Sequence, residues 1–170
     1  MKSLLPTLII CISFLCLSSC SKDDNVDDNG VLGTYTLNSL KVDTAVDLDN
    51  DGISENILDP GCLKDSELRL DSQSSGSLFF TSDVAYNTML ENDRLEFATI
   101  CAFNQDLDET IFDYSLNDNT LSVNFNGNSY LAIISGSMIS LTIPNGFIAR
   151  DVETFETTIS QDLTYVFKMN

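Results

Sequence analysis

The sequence predicts an antiparallel all-β domain, and two patterns support that prediction. Beyond Gly30, short runs alternate apolar and polar side chains with a period of two, as strands do when one face lies in the core. Turn residues separate these runs, for example at residues 117–119 and 126–128. We count seven clear strands and up to nine in all.

The strands are predicted from the start of the domain to its end. A first strand opens at residues 33–37, and a hairpin with its turn at residues 72–76 follows. Residues 120–126 and 138–143 have the clearest alternation, whereas residues 130–135 are apolar on both faces and indicate a more covered strand. The remaining predicted strands are residues 68–70, 78–81, 95–103 and 163–167.

Two stretches fit more than one structure. Residues 83–93 fit either a helical turn or a loop before the strand at residues 95–103. Residues 151–161 place Val152, Phe155 and Ile159 at helical spacing. We therefore treat both stretches as candidate short helices that would cover an open end of a barrel.

The composition excludes several functional classes. The chain has 8 Lys and Arg against 26 Asp and Glu, and its net charge of −18 repels phosphate and argues against nucleic-acid binding. It contains no His, which excludes His-dependent catalytic triads and metal sites that need imidazole. It also lacks a Gly-rich phosphate loop and a nucleophile elbow. We therefore expect a protein that is not an enzyme.

The first 20 residues predict a lipoprotein signal peptide. Lys2 precedes an apolar run from Leu4 to Leu17, and its length of about 14 residues is below the roughly 20 that a membrane-spanning helix needs. Residues 17–20, Leu-Ser-Ser-Cys, resemble the lipobox of bacterial lipoproteins. That resemblance implies cleavage before Cys20, attachment of diacylglycerol and a further acyl chain such as palmitate to Cys20, and stable membrane anchoring. Ordinary secretion, with Cys20 incidental, is the alternative.

The predicted organisation is a signal peptide at residues 1–19, a lipidated Cys with an acidic tether at residues 20–30, and a β-domain at residues 31–170. The tether is polar and charged apart from one valine, so it lacks the apolar surface needed to order itself. Ser-Lys-Asp-Asp directly after Cys20 resembles the export signal of Bacteroidota-type lipoproteins. It implies the outer membrane and the cell surface, and a generic solvated spacer is the alternative.

Two cysteines remain in the body of the chain, Cys62 and Cys101, since Cys11 and Cys16 fall in the leader and Cys20 carries the lipid. In an oxidising compartment, two such thiols predict one disulfide. The bridge would close a loop of about 40 residues and contribute roughly 4 kcal/mol in the chain-entropy model. A redox or metal role is less favoured, because the two cysteines lie far apart in the sequence.

Three features together resemble the bacterial lipocalin-like family of small surface lipoproteins. They are Gly-Thr-Tyr-Thr-Leu at residues 33–37, strands in meander order, and Thr-Tyr-Val-Phe-Lys at residues 164–168. The resemblance spans about residues 32–168 and implies an antiparallel barrel of about eight strands. Lipocalins usually carry Trp at the position of Tyr35, and Lys168 is the candidate for the Arg that packs on that Trp.

Residues 47–55, with the sequence DLDNDGISE, match the first half of a calcium-binding loop. Position 12 of that loop is Leu58, where an EF-hand places a bidentate Glu, so we expect weak affinity, about 10⁻⁴ to 10⁻³ M. The lipocalin-like lipoproteins often show a similar Asp-rich insertion before a Cys. The alternative is an acidic turn whose side chains cap their own backbone. The predicted calcium ligands are Asp47, Asp49, Asp51, the carbonyl of Ile53, and Glu55.

The sequence leaves two functions open. In the first, a membrane-anchored surface lipoprotein uses its barrel to bind a small ligand or a cell-envelope partner. In the second, the barrel has a packed core, and the protein is a structural or interaction module that acts through acidic loops, with calcium as the one candidate cofactor. The identity of the ligand or partner does not follow from the sequence. The side chains that would line a pocket or fill a core are Leu68, Phe80, Phe97, Phe125, Ile139 and Phe167.

Overall fold

A computed structural model describes residues 30–72, 74–102 and 109–170. Eleven strands make up most of this part of the chain, and its one helical segment is a 3-10 turn at Gly61–Leu63. The strands are β1 (Gly33–Val46), β2 (Glu55–Leu58), β3 (Glu67–Leu70), β4 (Ser75–Phe79), β5 (Asp83–Glu91), β6 (Arg94–Ala102), β7 (Thr110–Asn117), β8 (Thr120–Phe125), β9 (Asn128–Ser135), β10 (Met138–Asp151) and β11 (Thr157–Met169).

Eight of these strands close into an antiparallel barrel. Around the ring they run β1, β3, β4, β7, β8, β9, β10 and β11, and β11 pairs back with β1 through registers such as Leu37 with Phe167. Every neighbour in the ring is antiparallel. The predicted all-β fold with an antiparallel barrel of about eight strands is therefore confirmed, and β2 and the β5–β6 hairpin are insertions into its meander.

Three strands continue past the barrel and build a second region. β1, β10 and β11 have 14, 14 and 13 residues, whereas the remaining barrel strands have at most 8. β2 pairs with the far half of β1, and β5 runs parallel to the far half of β10, with Tyr86 opposite Ala149. We call this region the extension: it comprises β2, β5, β6 and the far halves of β1, β10 and β11.

Side chains fill the inside of the barrel. Leu121 and Ile139 are 0% exposed, as is Phe167 on β11. Inward apolar positions alternate with outward polar ones along strands such as β8, which is why the period-two pattern predicts them. In β9 the outward positions include the exposed Leu131 and Ile133, so this strand is less covered than its sequence indicated. An eight-stranded barrel has an interior just wide enough for side chains to fill. The core continues into the extension, where the ring of Tyr86 stacks on that of Phe147 with centroids 4.6 Å apart.

The predicted tight turns are confirmed. Asn126 and Gly127 join β8 to β9 with positive φ angles of 52° and 76°, the combination that a two-residue type I′ hairpin requires. Asp118 likewise has a φ of 53° between β7 and β8. Asn, Asp and Gly tolerate this left-handed conformation best, so the local sequence fixes the registers of these hairpins.

The prediction of a helical turn or loop at residues 83–93 is wrong, because most of this stretch forms β5. Val84, Tyr86 and Thr88 alternate toward the core, and Thr88 is fully buried with its hydroxyl 2.8 Å from that of Thr158. The strand pattern was hidden in the sequence because a buried Thr and two small or polar neighbours weaken the apolar contrast.

The candidate helix at residues 151–161 is also wrong. The Asp151 carboxylate accepts hydrogen bonds from the backbone N–H groups of Glu153 and Thr154, as a helix N-cap would, and the N–H of Phe155 reaches the carbonyl of Asp151. Phe155 then adopts a positive φ of 60°, which ends the turn, and β11 begins at Thr157. The helical spacing in the sequence therefore reflects a single capped turn between two strands.

Tyr35 and Lys168 do not form the expected packing pair. Tyr35 is buried, and its hydroxyl donates a hydrogen bond to the carbonyl of Val31 at 2.6 Å. Lys168 is exposed and lies opposite Thr36 in the register of β1 and β11, so it is on the other face of the sheet from Tyr35. The proposed role of Lys168 is therefore wrong.

Candidate functional site

The acidic loop, residues 47–54, connects β1 to β2 at the outer end of the extension. Asn50 and Gly52 take positive φ angles of 60° and 95°, which turn the chain sharply within a few residues. This turn brings Asp47, Asp49 and Asp51 together, so that one carboxylate oxygen from each lies within 4.8 Å of the others. The sequence prediction that these three residues share one site agrees with this geometry.

Asp47 has an unusual environment. One carboxylate oxygen, Oδ2, accepts a hydrogen bond from the N–H of Gly52 at 3.0 Å and contacts the guanidinium of Arg94. The other oxygen, Oδ1, is buried and has no hydrogen-bond partner in the described part of the chain. A buried oxygen acceptor without a donor is unfavourable, and a hard cation would satisfy it.

Hydrogen bonds lower the pKa of Asp47. Partial burial of the carboxyl by itself raises the pKa, but the hydrogen bond and the positive charge of Arg94, with the N–H groups of Gly52 and Asp51, outweigh that effect. The net direction is below the ordinary value of 3.8, so the carboxylate is ionised at neutral pH. An ionised Asp47 is what calcium coordination needs.

The loop also contains the self-capping contacts of the alternative interpretation. The N–H of Ile53 donates to Asp51 Oδ1 at 2.7 Å, and the N–H of Asp51 points to Asp49 Oδ1 at 3.4 Å. Each of these contacts uses one oxygen of its carboxylate, which leaves the other oxygen of the same group for a cation. The self-capping contacts are therefore present, and they do not use all the acceptor atoms of these carboxylates.

Of the other two predicted calcium ligands, Glu55 lies outside the cluster of three carboxylates. Glu55 is the first residue of β2 and is exposed, and its carboxylate is not one of the three clustered groups. Ile53 is 63% exposed. Leu58 is buried, and Asp59 caps the N–H of Gly61 at 2.7 Å, so neither supplies a twelfth-position carboxylate. A cation held by the three Asp residues would keep open coordination positions.

Two residues that sequence reasoning missed hold the loop in place. The side chain of Asn50 accepts a hydrogen bond from the N–H of Phe97 and donates one to its carbonyl, both at 2.8 Å. This amide completes the exposed edge of β6 as a neighbouring strand would. Arg94, at the start of β6, pairs with Asp47. Both contacts join positions 47 residues apart, so no local pattern could have indicated them.

A disulfide closes the other side of the site. Cys62 and Cys101 are bonded with their Cα atoms 6.1 Å apart, which confirms the predicted bridge and its loop of 39 residues. The bridge ties the 3-10 turn after β2 to the end of β6. The segment from the acidic loop to the 3-10 turn is thus joined to β6 twice, at Asn50 and at Cys62.

A cavity of about 310 Å³ is lined by both bridged cysteines and by part of the acidic loop. We call it the loop cleft, because the acidic loop forms one wall and the β5–β6 hairpin the other. Its apolar floor is made by Val46, Leu58, Val84 and Tyr86. Burial raises the pKa of Tyr86 to about 12, so its hydroxyl is protonated throughout the physiological range.

The candidate pocket residues of the barrel have mostly become core. Leu68, Phe97, Ile139 and Phe167 are at most 8% exposed. Phe125 packs against Tyr130 with ring centroids 4.6 Å apart, and Phe80 packs against Tyr165 at 5.2 Å. The loop cleft lies outside this set, and of the six only Phe97 contacts the acidic loop.

Cys20 and the signal peptide lie outside the described residues. Within the described ranges no helix is long and apolar enough to cross a lipid bilayer. The chain has no significant match to any protein-family model, curated protein or solved structure.

Proposed function

We propose that this protein is a membrane-anchored surface lipoprotein whose filled barrel is a scaffold and whose acidic loop binds calcium, without covalent chemistry. Two observations carry the proposal: the carboxylates of Asp47, Asp49 and Asp51 are clustered, and Asp47 Oδ1 is buried with no hydrogen-bond donor in the described part of the chain. Oxygen ligands from Asp side chains are what calcium prefers.

The two carboxylate oxygens of Asp47 have different environments, and this difference supports the proposal. Oδ2 is fixed by the N–H of Gly52 and by Arg94, which orients the carboxylate. Oδ1 is not bonded to either of these groups, and among the described residues it has no other donor. Arg94 offsets part of the negative charge of the three adjacent carboxylates through its pair with Asp47.

The placement of the two ends of the domain supports an anchored protein. The predicted tether leads into β1 at Gly33, at the barrel end, where the C-terminal Asn170 also lies beside Thr34. β1 then runs 14 residues to Val46, roughly 40 Å at about 3.3 Å per residue. A lipid on Cys20 would therefore hold the barrel at the membrane and the acidic loop away from it.

The other function that the sequence left open, a ligand inside the barrel, has less support. Side chains such as Leu121, Ile139 and Phe167 occupy the interior and are 0% exposed. A ligand there would have to displace packed side chains, and each such rearrangement is costly in a close-packed interior. A cell-envelope partner that contacts the extension remains compatible with the proposal.

Thermal unfolding with and without calcium tests the metal site. Ligand that binds only the folded state stabilises it by RT ln(1 + [L]/Kd), about 1 kcal/mol at roughly five times Kd. We expect the melting midpoint of the full chain in millimolar calcium to exceed its midpoint in chelator. Replacing Asp49 by Ala should remove most of this difference.

Asp113→Ala is the matched control, because it removes one carboxylate from the outer face of β7, far from the loop. It should keep the full calcium response. The calcium proposal is contradicted if calcium leaves the melting midpoint unchanged. It is also contradicted if Asp49→Ala and Asp113→Ala keep the same calcium response.

Incorporation of labelled palmitate tests the anchor separately. The wild-type chain, expressed in a bacterium with the lipoprotein pathway, should carry the label and fractionate with membranes. Cys20→Ser should lose the label, because the thiol is the acceptor of the lipid. Label that persists in Cys20→Ser would contradict the anchor and leave the calcium site untouched.

A further inference from the structure

The loop cleft combines an apolar floor with an acidic rim. Val46, Leu58, Val84 and Tyr86 form the floor, and the rim carries the carboxylates of Asp49, Glu55 and Asp59. The residues that line the cleft within the described chain include no Lys or Arg. The cleft is therefore negatively charged at its mouth and apolar inside.

The rim carboxylates have no cationic partner in the described part of the chain. Its salt bridges pair Arg69 with Glu67 and Glu109, and Arg94 with Asp47. Negative charge along the mouth of a cleft with low-dielectric walls concentrates the field there and attracts positive ligands. The whole chain, with a net charge of −18, adds to that attraction.

The cleft is held open by fixed connections. The Cys62–Cys101 disulfide lies in the cleft wall and joins the 3-10 turn to β6, and the paired hydrogen bonds of Asn50 with Phe97 join the acidic loop to the same strand. Because the walls of such a site are already ordered, the protein loses little conformational entropy when a ligand binds, so even a small ligand can bind. Its volume of about 310 Å³ is at the small end of the range for ligand sites.

From these features we propose that the loop cleft binds a small organic cation, an ammonium group on an apolar body. The ammonium lies at the rim beside Asp49, Glu55 and Asp59, and the apolar body packs on the floor over Tyr86. The same chemistry is present in a free alkyl or aryl amine and in the side chain of a lysine. Because the site extends beyond the three Asp residues of the calcium cluster, it does not require calcium.

Binding of 2-phenylethylammonium to the full chain, measured by calorimetry in detergent and chelator, tests the proposal. We expect saturable binding, with weaker binding of the neutral 2-phenylethanol and none of the anionic 3-phenylpropionate. Glu55→Gln, which removes a rim charge and keeps the shape, should weaken binding of the ammonium about tenfold. Glu156→Gln is the matched control, since Glu156 is exposed in the turn between β10 and β11, and it should bind as the wild type does.

A second variant blocks the cleft without changing its charge. Thr99 lies on the exposed face of β6 at the cleft, so Thr99→Phe places a ring in the cleft without disturbing the core. Its melting midpoint should match that of the wild type while binding of the ammonium is lost.

A peptide with a single Lys distinguishes the two sources of the ammonium group, with the same peptide carrying norleucine as its control. Tighter binding of the Lys peptide than of the free amine indicates a polypeptide ligand. Tighter binding of the free amine indicates a small molecule.

The proposal is overturned if 2-phenylethylammonium does not saturate, if 2-phenylethanol binds equally well, or if Glu55→Gln and folded Thr99→Phe bind as tightly as the wild type. All of these measurements are made in chelator, so their failure is separate from a failure of the calcium site. Added calcium gives a further check. Because Asp49 contributes to both sites, calcium should weaken binding of the ammonium.

Discussion

Asn50 connects the acidic loop to β6 through one side chain. Its amide takes the place of a neighbouring strand at Phe97, and its backbone has the left-handed conformation that turns the loop. Asn is one of the few residues that suit both roles, because its short amide tolerates positive φ and carries a donor and an acceptor. The position of the carboxylates relative to the cleft depends on this residue.

Asn50→Gly should therefore destabilise the protein. Gly accepts the φ of 60° but cannot bond to Phe97, and two partly buried hydrogen bonds together contribute about 1–3 kcal/mol. The free energy of unfolding from urea titration measures the loss. Asn126→Gly is the control, because Asn126 has a similar φ of 52° in the turn after β8. This substitution should lower the free energy of unfolding only slightly. Equal losses in the two variants would contradict the role of the Asn50 amide.

Asp47 should make stability depend on pH in the acid range. Its pKa is below the ordinary value of 3.8 when folded, so its contribution is present in full above the unfolded pKa and disappears as the pH falls through the folded pKa. Asp47→Asn should therefore be less stable than wild type at pH 7, and the difference should shrink below about pH 4.

Urea titrations in chelator from pH 7 down to the acid limit of the fold measure this difference. Asp113→Asn, the same substitution on the wall of the barrel, serves as the control and should not reproduce the pattern. A difference between Asp47→Asn and wild type that stays constant across the whole range would contradict the hydrogen-bonded carboxylate described above.

For single residues, the sequence predicted the contacts between positions that are close together in the chain. Asp47, Asp49 and Asp51 lie within five positions, so their meeting follows from one Gly and one turn. Arg94 and the pairing of Asn50 with Phe97 depend on the return of the chain 47 residues later. The meeting of the three carboxylates could therefore be predicted, but the contacts that orient them could not.

Among the elements, the strands with one wet face were the predictable ones. β8 and the first half of β10 alternate clearly, because their outward Ser, Thr and Asn contrast with inward Leu, Ile and Val. β5 was missed, since its fully buried Thr88 hides the same alternation. The continuation of β1, β10 and β11 into the extension was also not predictable, because it depends on partners from distant parts of the chain.

The disulfide is the element-scale link with the largest expected effect. Replacing both Cys62 and Cys101 by Ser should lower the free energy of unfolding by about 4 kcal/mol, because the unfolded chain regains the freedom of a 39-residue loop. Urea titration of the double variant against the oxidised wild type measures the change. Reduction of the wild type should produce a similar loss and have no effect on the variant, and a variant as stable as the oxidised wild type would contradict this account.

The whole molecule has two ends with different physical character. The barrel end holds Gly33 and Asn170 and is filled by apolar side chains, so it can support a tether without carrying a site. The extension carries the acidic loop, the disulfide and the loop cleft. A net charge of −18 keeps such a surface solvated and favours cationic over anionic partners.

The sequence predicted the barrel, but it did not predict that the acidic loop and the loop cleft lie in an extension outside it. Period-two patterning specifies that strands form a core, and the core alone cannot distinguish a filled barrel from a ligand-binding one. The distinction depends on side chains such as Leu121 and Ile139, which are fully buried in the interior. The core continues into the extension, and the acidic loop and the loop cleft lie there.

The central claim, that the barrel is a scaffold and the acidic loop is the cation site, is tested most directly by following backbone amide NMR signals of the full chain during a calcium titration. We expect saturable shifts confined to Asp47–Glu55 and to the neighbouring part of β6 around Arg94 and Phe97. Amides in the barrel, such as those of Leu121 and Ile139, should not move. Shifts that do not saturate, or that concentrate in the barrel, would contradict the claim.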